Sequence, residues 1–354
     1  MRFLANGRLT LYWTVARSFL FALALFPAVI LPLGGCGVDT QAEQVDKAIA
    51  TLREADRQYD LRRVGEARKW VKKALVYSTA PDVYLGGDSV LGYRRGVIAI
   101  LYGHGDYDEL VACMNVALAN PKLKPKVDYL QFLGDSLNRL GHKAEAQAAY
   151  ARLVVELAKT YPSPGARTPG DRPVLLSIAD AQWLSGDIAA ATKSYESARR
   201  LYPDHAADAS NSQAYLSAED GIQLAAAEKL SIASIKDASA RGRDDELGEF
   251  QDTLGWIYYK MWLSDHSKPH LAQAIVYLEL GASALPGEPD CQFHLAKAYE
   301  AAGRVADASI EYARVANMHT ADPAAQKDAR RIGAMPQAAP PESQPSTGAT
   351  ETNV

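Results

Sequence analysis

Cysteine is scarce in this chain: three in 354 residues, at Cys36, Cys113 and Cys291. No CxxC pair and no Cys/His group at zinc-ligand spacing occurs, so nothing points to a structural zinc site, and the spacing demands no disulfide framework. Cys113 and Cys291 sit in amphipathic stretches beside Met114 and Phe293 and read as buried, inert thiols. The chain also lacks GxSxG, HExxH and a P-loop, the motifs that place a nucleophile, a catalytic metal or a phosphate. Neither sign of charge dominates. Against 42 acidic residues stand 38 basic ones, a net charge of -4, which offers no basic stripe for nucleic acid and no general attraction to anionic lipid. The longest apolar run, residues 19–33, is shorter than the ~20 residues a spanning helix needs, and Pro27 and Pro32 interrupt it.

What is present is a recurring register. Between Phe250 and Ala316 the chain reads Leu254-Gly255, Tyr258, Ala274, Leu278 and Pro286, then Leu295-Ala296, Tyr299, Gly303, Ala308 and Tyr312. From Pro286 onward the second copy keeps a period of ~34 residues. Each unit sets a large residue against a small one, which lets two antiparallel helices approach closely. A clean copy runs Leu133-Gly134, Leu137, Gly141, Ala146, Tyr150, Leu153, and another runs Ile178-Ala179, Gln182, Gly186-Asp187, Ala191, Tyr195, Ala198, Pro203. Weaker copies cover residues 47–80, Val97 to Ala117, and Asn211 to Ile235. A Pro/Gly-rich loop (161–172) and a charged connection (237–246) separate some of them. This register resembles the tetratricopeptide repeat family. The resemblance implies an all-α fold: an α-solenoid, a right-handed superhelix of about seven helical hairpins over residues 47–334. A short polar tether at 36–46 precedes it. From residue 335 to 354 the chain is Pro, Ser, Thr, Gln and Ala with almost no large apolar residue, and it reads as disordered.

Residues 1–35 have export-signal order: Arg2, Arg8 and Arg17, then the apolar run, then small residues. Leu33-Gly34-Gly35-Cys36 resembles the lipobox of bacterial lipoproteins. That resemblance implies cleavage before Cys36, acyl chains on Cys36, and a membrane-anchored protein. Gly37 after the cysteine, where an Asp would mark inner-membrane retention, points to the outer membrane. A retained N-terminal anchor is the other reading.

In the tetratricopeptide family the first helix of each pair lines a concave face. Carried onto this chain, the residues free to face a ligand are Arg95, Tyr102, Gln131, Asp135, Asn138, Arg139, Asp180, Trp183, Asn211, Tyr215, Asp252, Trp256, Tyr259, Lys260 and Lys297. Aromatics, amides and both charges together favour a protein or peptide ligand. Trp183, Trp256 and Tyr259 leave a periplasmic glycan- or peptide-binding protein open as the alternative, with an enzyme accessory domain behind it. A clamp for a C-terminal carboxylate does not carry over, because Asn138-Arg139 and Lys260 lie in non-adjacent repeats. His266 and His270 are four apart, but Pro269 lies between them and no further ligand is local. The stretch MWLSDHSKPH reads as a lengthened loop between helices rather than a metal site. Glu219-Asp220 reads as a solvated pair. The expectation is a non-catalytic scaffold with no cofactor, serving envelope assembly, secretion or exopolysaccharide export.

Overall fold

A computed structural model describes residues 41–79, 96–119, 126–161 and 171–318, with residues 325, 327, 329 and 330. The expectations for residues 1–35, Cys36, Arg95, the loop residues 162–170 and the tail 335–354 fall outside the described residues. Among the described residues the secondary structure is helical and contains no strand. In chain order the helices are α1 (Gln41–Asp60), α2 (Val64–Thr79), α3 (96–103), α4 (Tyr107–Ala119), α5 (Val127–Arg139), α6 (Lys143–Thr160) and α7 (Asp171–Leu184). They continue with α8 (Ile188–Leu201), α9 (Ala206–Asp220), α10 (Leu224–Ala240), α11 (Leu247–Asp265), α12 (Lys268–Ala284), α13 (Pro289–Ala301) and α14 (Val305–Asn317). Helix α1 begins at Gln41, inside the segment expected as a tether.

The helices pair into hairpins, each turned by one residue in the left-handed region: Arg62, Gly105, Gly141, Gly186, Gly221, His266 and Gly303. In six of these turns the residue after the left-handed one donates its N–H five residues back. Arg63 bonds to Gln58 O, Asp106 to Leu101 O, His142 to Leu137 O, Asp187 to Gln182 O, Ile222 to Ser217 O and Arg304 to Tyr299 O. This closure ends a helix tightly and is easiest with glycine, which has no Cβ to collide with the carbonyl. Arg62 adopts the same backbone with φ 58° and bears that strain. Replacing Arg62 with Gly is therefore expected to raise folding stability by about 0.5–1 kcal/mol. A denaturant titration checks it, and an unchanged or lower midpoint speaks against the turn.

The sixth turn differs. The stretch expected as a lengthened loop is helical: α11 runs on to Asp265, α12 starts at Lys268, and only His266 and Ser267 connect them. The extra residues lengthen both helices. Pro269 sits at the start of α12, where it lacks no needed N–H. Asp265 Oδ1 accepts Ser267 N–H at 2.8 Å. The charged connection expected at 237–246 is likewise shorter, because α10 continues to Ala240.

Each first helix is enclosed more fully than its partner. Helix α11 packs on its own second helix α12, on the preceding second helix α10, and on the neighbouring first helices α9 and α13. Helix α9 is surrounded in the same way by α10, α8, α7 and α11. The second helices contact chiefly first helices and keep an exposed outer side, with Val116, Val155, Val276 and Ile310 open to solvent. Two extended apolar cores result, one from Ala48 to Ala181 and one from Leu175 to Ala329. Small residues set the helix spacing: Gly134 of α5 lies against the Tyr150 ring of α6, and Gly255 of α11 against Ala274 and Leu278 of α12.

Arg139 on α5 and Asp290 at the start of α13 approach to 3.8 Å. They lie on the first helices of the third and seventh hairpins. Such a contact requires the array to curve toward its first helices, which makes that side concave.

Candidate functional site

The concave face is built by the first helices α5, α7, α9, α11 and α13. Asp135 on α5 accepts the Tyr150 hydroxyl from α6 at 2.6 Å, and Asp180 on α7 accepts the Tyr195 hydroxyl from α8. Both acids are almost fully buried. Burial pushes the Asp135 carboxyl up to about 6 and that of Asp180 up to about 7, although each tyrosine hydroxyl pulls the other way. Burial also raises the hydroxyls of Tyr150 and Tyr195 well above the usual tyrosine value. Further along, Asp252 on α11 faces His294 Nδ1 of α13 at 3.1 Å. The Trp256 ring stacks on His294 at 4.0 Å between centroids and on Tyr259 at 4.9 Å.

The end of α9 ties three first helices together. Glu219 Oε1 accepts the Trp256 indole N–H at 2.7 Å, and Asp220 Oδ2 accepts that of Trp183 at 2.7 Å. Lys260 Nζ donates to the Glu219 carbonyl at 3.1 Å and lies 4.9 Å from the Trp256 ring centroid. The acid pair expected as merely solvated is therefore the acceptor for two indoles.

These contacts correct the expectation that the whole first-helix set stands free for a ligand. Tyr102, Asp135, Asp180, Trp183, Asn211, Tyr215, Asp252, Trp256 and Tyr259 are buried. The reason is the curvature and close packing of the first helices, which bring a third wall against residues that a single helical wheel leaves half-exposed. Gln131, Asn138, Arg139, Lys260 and Lys297 remain partly accessible. Tyr102 packs edge-on against Tyr107 and Phe132. Asn211 is 0% exposed, yet neither its Nδ2 nor its Oδ1 has a partner.

Sequence reasoning missed the hydroxyl–carboxylate bonds between paired helices. A trace of them was there to read: Asp135/Tyr150 and Asp180/Tyr195 have the same spacing, 15 residues. Among the described residues no group of three or more His, Cys, Asp or Glu could hold a metal. His270 Nδ1 is 2.9 Å from Asp265 and goes no further toward a ligand set with His266. Cys113 is buried, and burial raises its thiol to about 12, leaving it protonated. Because Trp183 and Trp256 hold helices together, Trp256→Ala is expected to cost about 3–5 kcal/mol of stability. A thermal or denaturant melt checks this, and a melt like wild type would mean that the indole is free for a ligand.

The fold and this face define a class: an all-α solenoid of tetratricopeptide-type hairpins with a concave first-helix surface. No known protein family profile matches the chain, and no curated protein matches it. Solved structures similar to parts of it include a MamA point mutant, at 16% identity over 55% of this chain and 97% of that one, with a TM-score of 0.30. Human IFIT1 is similar at 14% identity over 82% of this chain and 67% of that one, TM-score 0.45. Yeast Tom70 is similar at 10% identity over 90% of this chain and 69% of that one, TM-score 0.41. At scores this low none of them carries an argument, and the class rests on the hairpins themselves.

Proposed function

We propose that the chain is a non-catalytic scaffold that holds a protein or peptide segment along its concave first-helix face. In this reading it is tethered to a bacterial envelope by lipid on Cys36, at the outer membrane facing the periplasm. There it supports an assembly, secretion or exopolysaccharide-export complex. The observation that carries the binding reading is Asn211. Its carboxamide is enclosed on α9 with both donor and acceptor unsatisfied, whereas Asp180 and Asp252 on the neighbouring first helices are paired. A buried polar group without a partner costs about 1–3 kcal/mol. A peptide backbone offers both a carbonyl and an N–H, which suits this amide once the side chains covering it move aside. The accessible rim residues Gln131, Asn138, Arg139, Lys260 and Lys297 mix amides with cations, and such a rim suits a polar segment.

A glycan is less favoured. Stacking on a sugar needs an open aromatic face, and Trp256 is already covered by His294 and Tyr259. Trp183 is buried as well.

Two measurements test the proposal. Mass spectrometry of the mature N-terminus is expected to find an acylated Cys36 as the first residue, and an unmodified Cys36 or another first residue rejects the anchor. Crosslinking in the native envelope is expected to recover a specific protein that is lost in a Lys260→Glu/Lys297→Glu variant with an unchanged melt. Recovery of the same partner from that variant moves binding to another surface.

A further inference from the structure

At the turn ends of the third, fourth and fifth hairpins lies a cleft of about 240 Å³, whose lining includes Asn138, Lys143, Tyr150, Trp183, Glu219 and Asp220. Its chemistry is legible from a neighbouring arrangement that the chain fills itself. The C-terminal end of α9 sends one acid to each side. Toward α11, Glu219 holds the Trp256 indole, and Lys260 caps the group, its ammonium over the Trp256 ring and bonded to the Glu219 carbonyl. Toward α7, Asp220 holds the Trp183 indole in the same way. Both indole–acid pairs are 37 residues apart in the chain. On this second side α7 ends at Leu184 and supplies no basic residue near Trp183, so the arrangement opens onto the cleft.

Three further features favour a cation there. The carbonyl end of α9 carries the negative end of its dipole. Two carboxylates line the cleft against one basic side chain, Lys143. Behind the Tyr150 wall, the Oδ2 of Asp135 is buried with no partner, while Tyr150 occupies Oδ1. Arg139, one turn along α5 from Asp135, is the other cation of this region, and it approaches Asp290 on α13.

We propose that this cleft takes a primary ammonium group, the side chain of a lysine in the bound segment, held by the Asp220 carboxylate with the Glu219 charge at the cleft's edge. The assignment rests on the reading of the concave face as a protein-binding surface and names the side-chain chemistry it selects. An ammonium beside the two carboxylates gains charge–charge attraction, which salt weakens.

Calorimetry on the full-length chain tests it, with two N-acetylated, C-amidated hexapeptides that alternate glycine with lysine or with norleucine. The lysine peptide is expected to bind, more weakly as salt rises, and the norleucine peptide not to bind. The Glu219→Gln/Asp220→Asn double variant keeps an acceptor for each indole and removes the charge, so it is expected to lose affinity about tenfold. Lys229→Met, exposed on the second helix α10 and outside the cleft, is expected to leave affinity within roughly twofold. Equal binding by the norleucine peptide, or undiminished binding by a normally melting double variant, overturns the assignment. If the lysine peptide does not bind while crosslinking still captures a protein on the first-helix face, the cation site falls and the scaffold stands. If it binds through Asp220 while the envelope yields no protein partner, the scaffold falls and the cation site stands.

Discussion

Gly255→Ala is expected to destabilise the fold by about 3 kcal/mol, at the upper end of what overpacking costs. An added Cβ would stand 2.7 Å from Leu278 Cγ, 2.8 Å from the Leu278 backbone N and 3.0 Å from the Ala274 carbonyl. Two of those three neighbours are backbone atoms of α12, so no rotamer change relieves the contact, and the hairpin itself must open. Gly281 meets Asp252 across the same pair, its Cβ position 2.9 Å from the Asp252 backbone N. The two helices therefore touch backbone to backbone at two levels. Gly287→Ala is the matched control, because nothing lies within 4 Å of a Cβ there. It is expected to be neutral or slightly stabilising. Denaturant titration of the two variants side by side separates the outcomes. A Gly255→Ala midpoint equal to that of wild type would contradict the close approach of α11 and α12.

The second large effect is a dependence of stability on pH. The folded chain holds the Asp135 carboxyl up to about 6 and the Asp180 carboxyl up to about 7, mainly through burial, against an ordinary value of 3.8. Folded-state values above the unfolded ones mean that the folded form keeps protons the unfolded chain has already released. The contribution of these two groups is therefore fullest below about pH 4 and declines as pH rises through the folded values, levelling off above about pH 7. The expected loss is on the order of several kcal/mol, at about 1.4 kcal/mol for each tenfold change in proton affinity. Asp106 works in the opposite direction. Burial disfavours its charge, but the Arg68 guanidinium and the Tyr59 hydroxyl outweigh this and hold its carboxyl below the ordinary value. Wild-type stability is thus a sum of opposed terms. An Asp135→Asn/Asp180→Asn variant, which keeps acceptors for Tyr150 and Tyr195, isolates the two buried acids. Its stability is expected to fall less than that of wild type between about pH 5 and pH 8. Parallel curves for the two proteins would mean that Asp135 and Asp180 are solvated.

The hairpins were legible in the sequence because their determinants are local. Gly141, Gly186 and Gly303 mark turns that need a left-handed backbone, and Gly134 and Gly255 mark places where helices touch. Arg62 and His266 turn the chain without that mark; the first hairpin also has Glu54-Ala55 where a Leu-Gly pair would stand, and the stretch around His266 reads as a loop because it adds residues to a regular repeat. Nothing local distinguishes extra residues that lengthen two helices from extra residues that form a loop; packing of α11 against α10, α12 and α13 decides it. The concave face was legible as a list of first-helix positions and not as a surface. Whether Trp256 or Asn211 faces solvent depends on how far successive hairpins rotate, and that rotation is set by many contacts spread over the array. The indole–carboxylate ties of Glu219 and Asp220 span 37 residues and leave no trace in any one repeat.

The inner, first-helix side of the solenoid is expected to carry a protein partner and the outer side to carry none. Photo-crosslinking residues placed singly at Gln131, Lys260 and Lys297 on the inner rim, and at Val276 and Ile310 on the exposed outer side, test it in intact cells. Adducts to one protein species are expected from the inner positions and none from the outer ones. Adducts from Val276 and Ile310 alone, or from neither side, would contradict it.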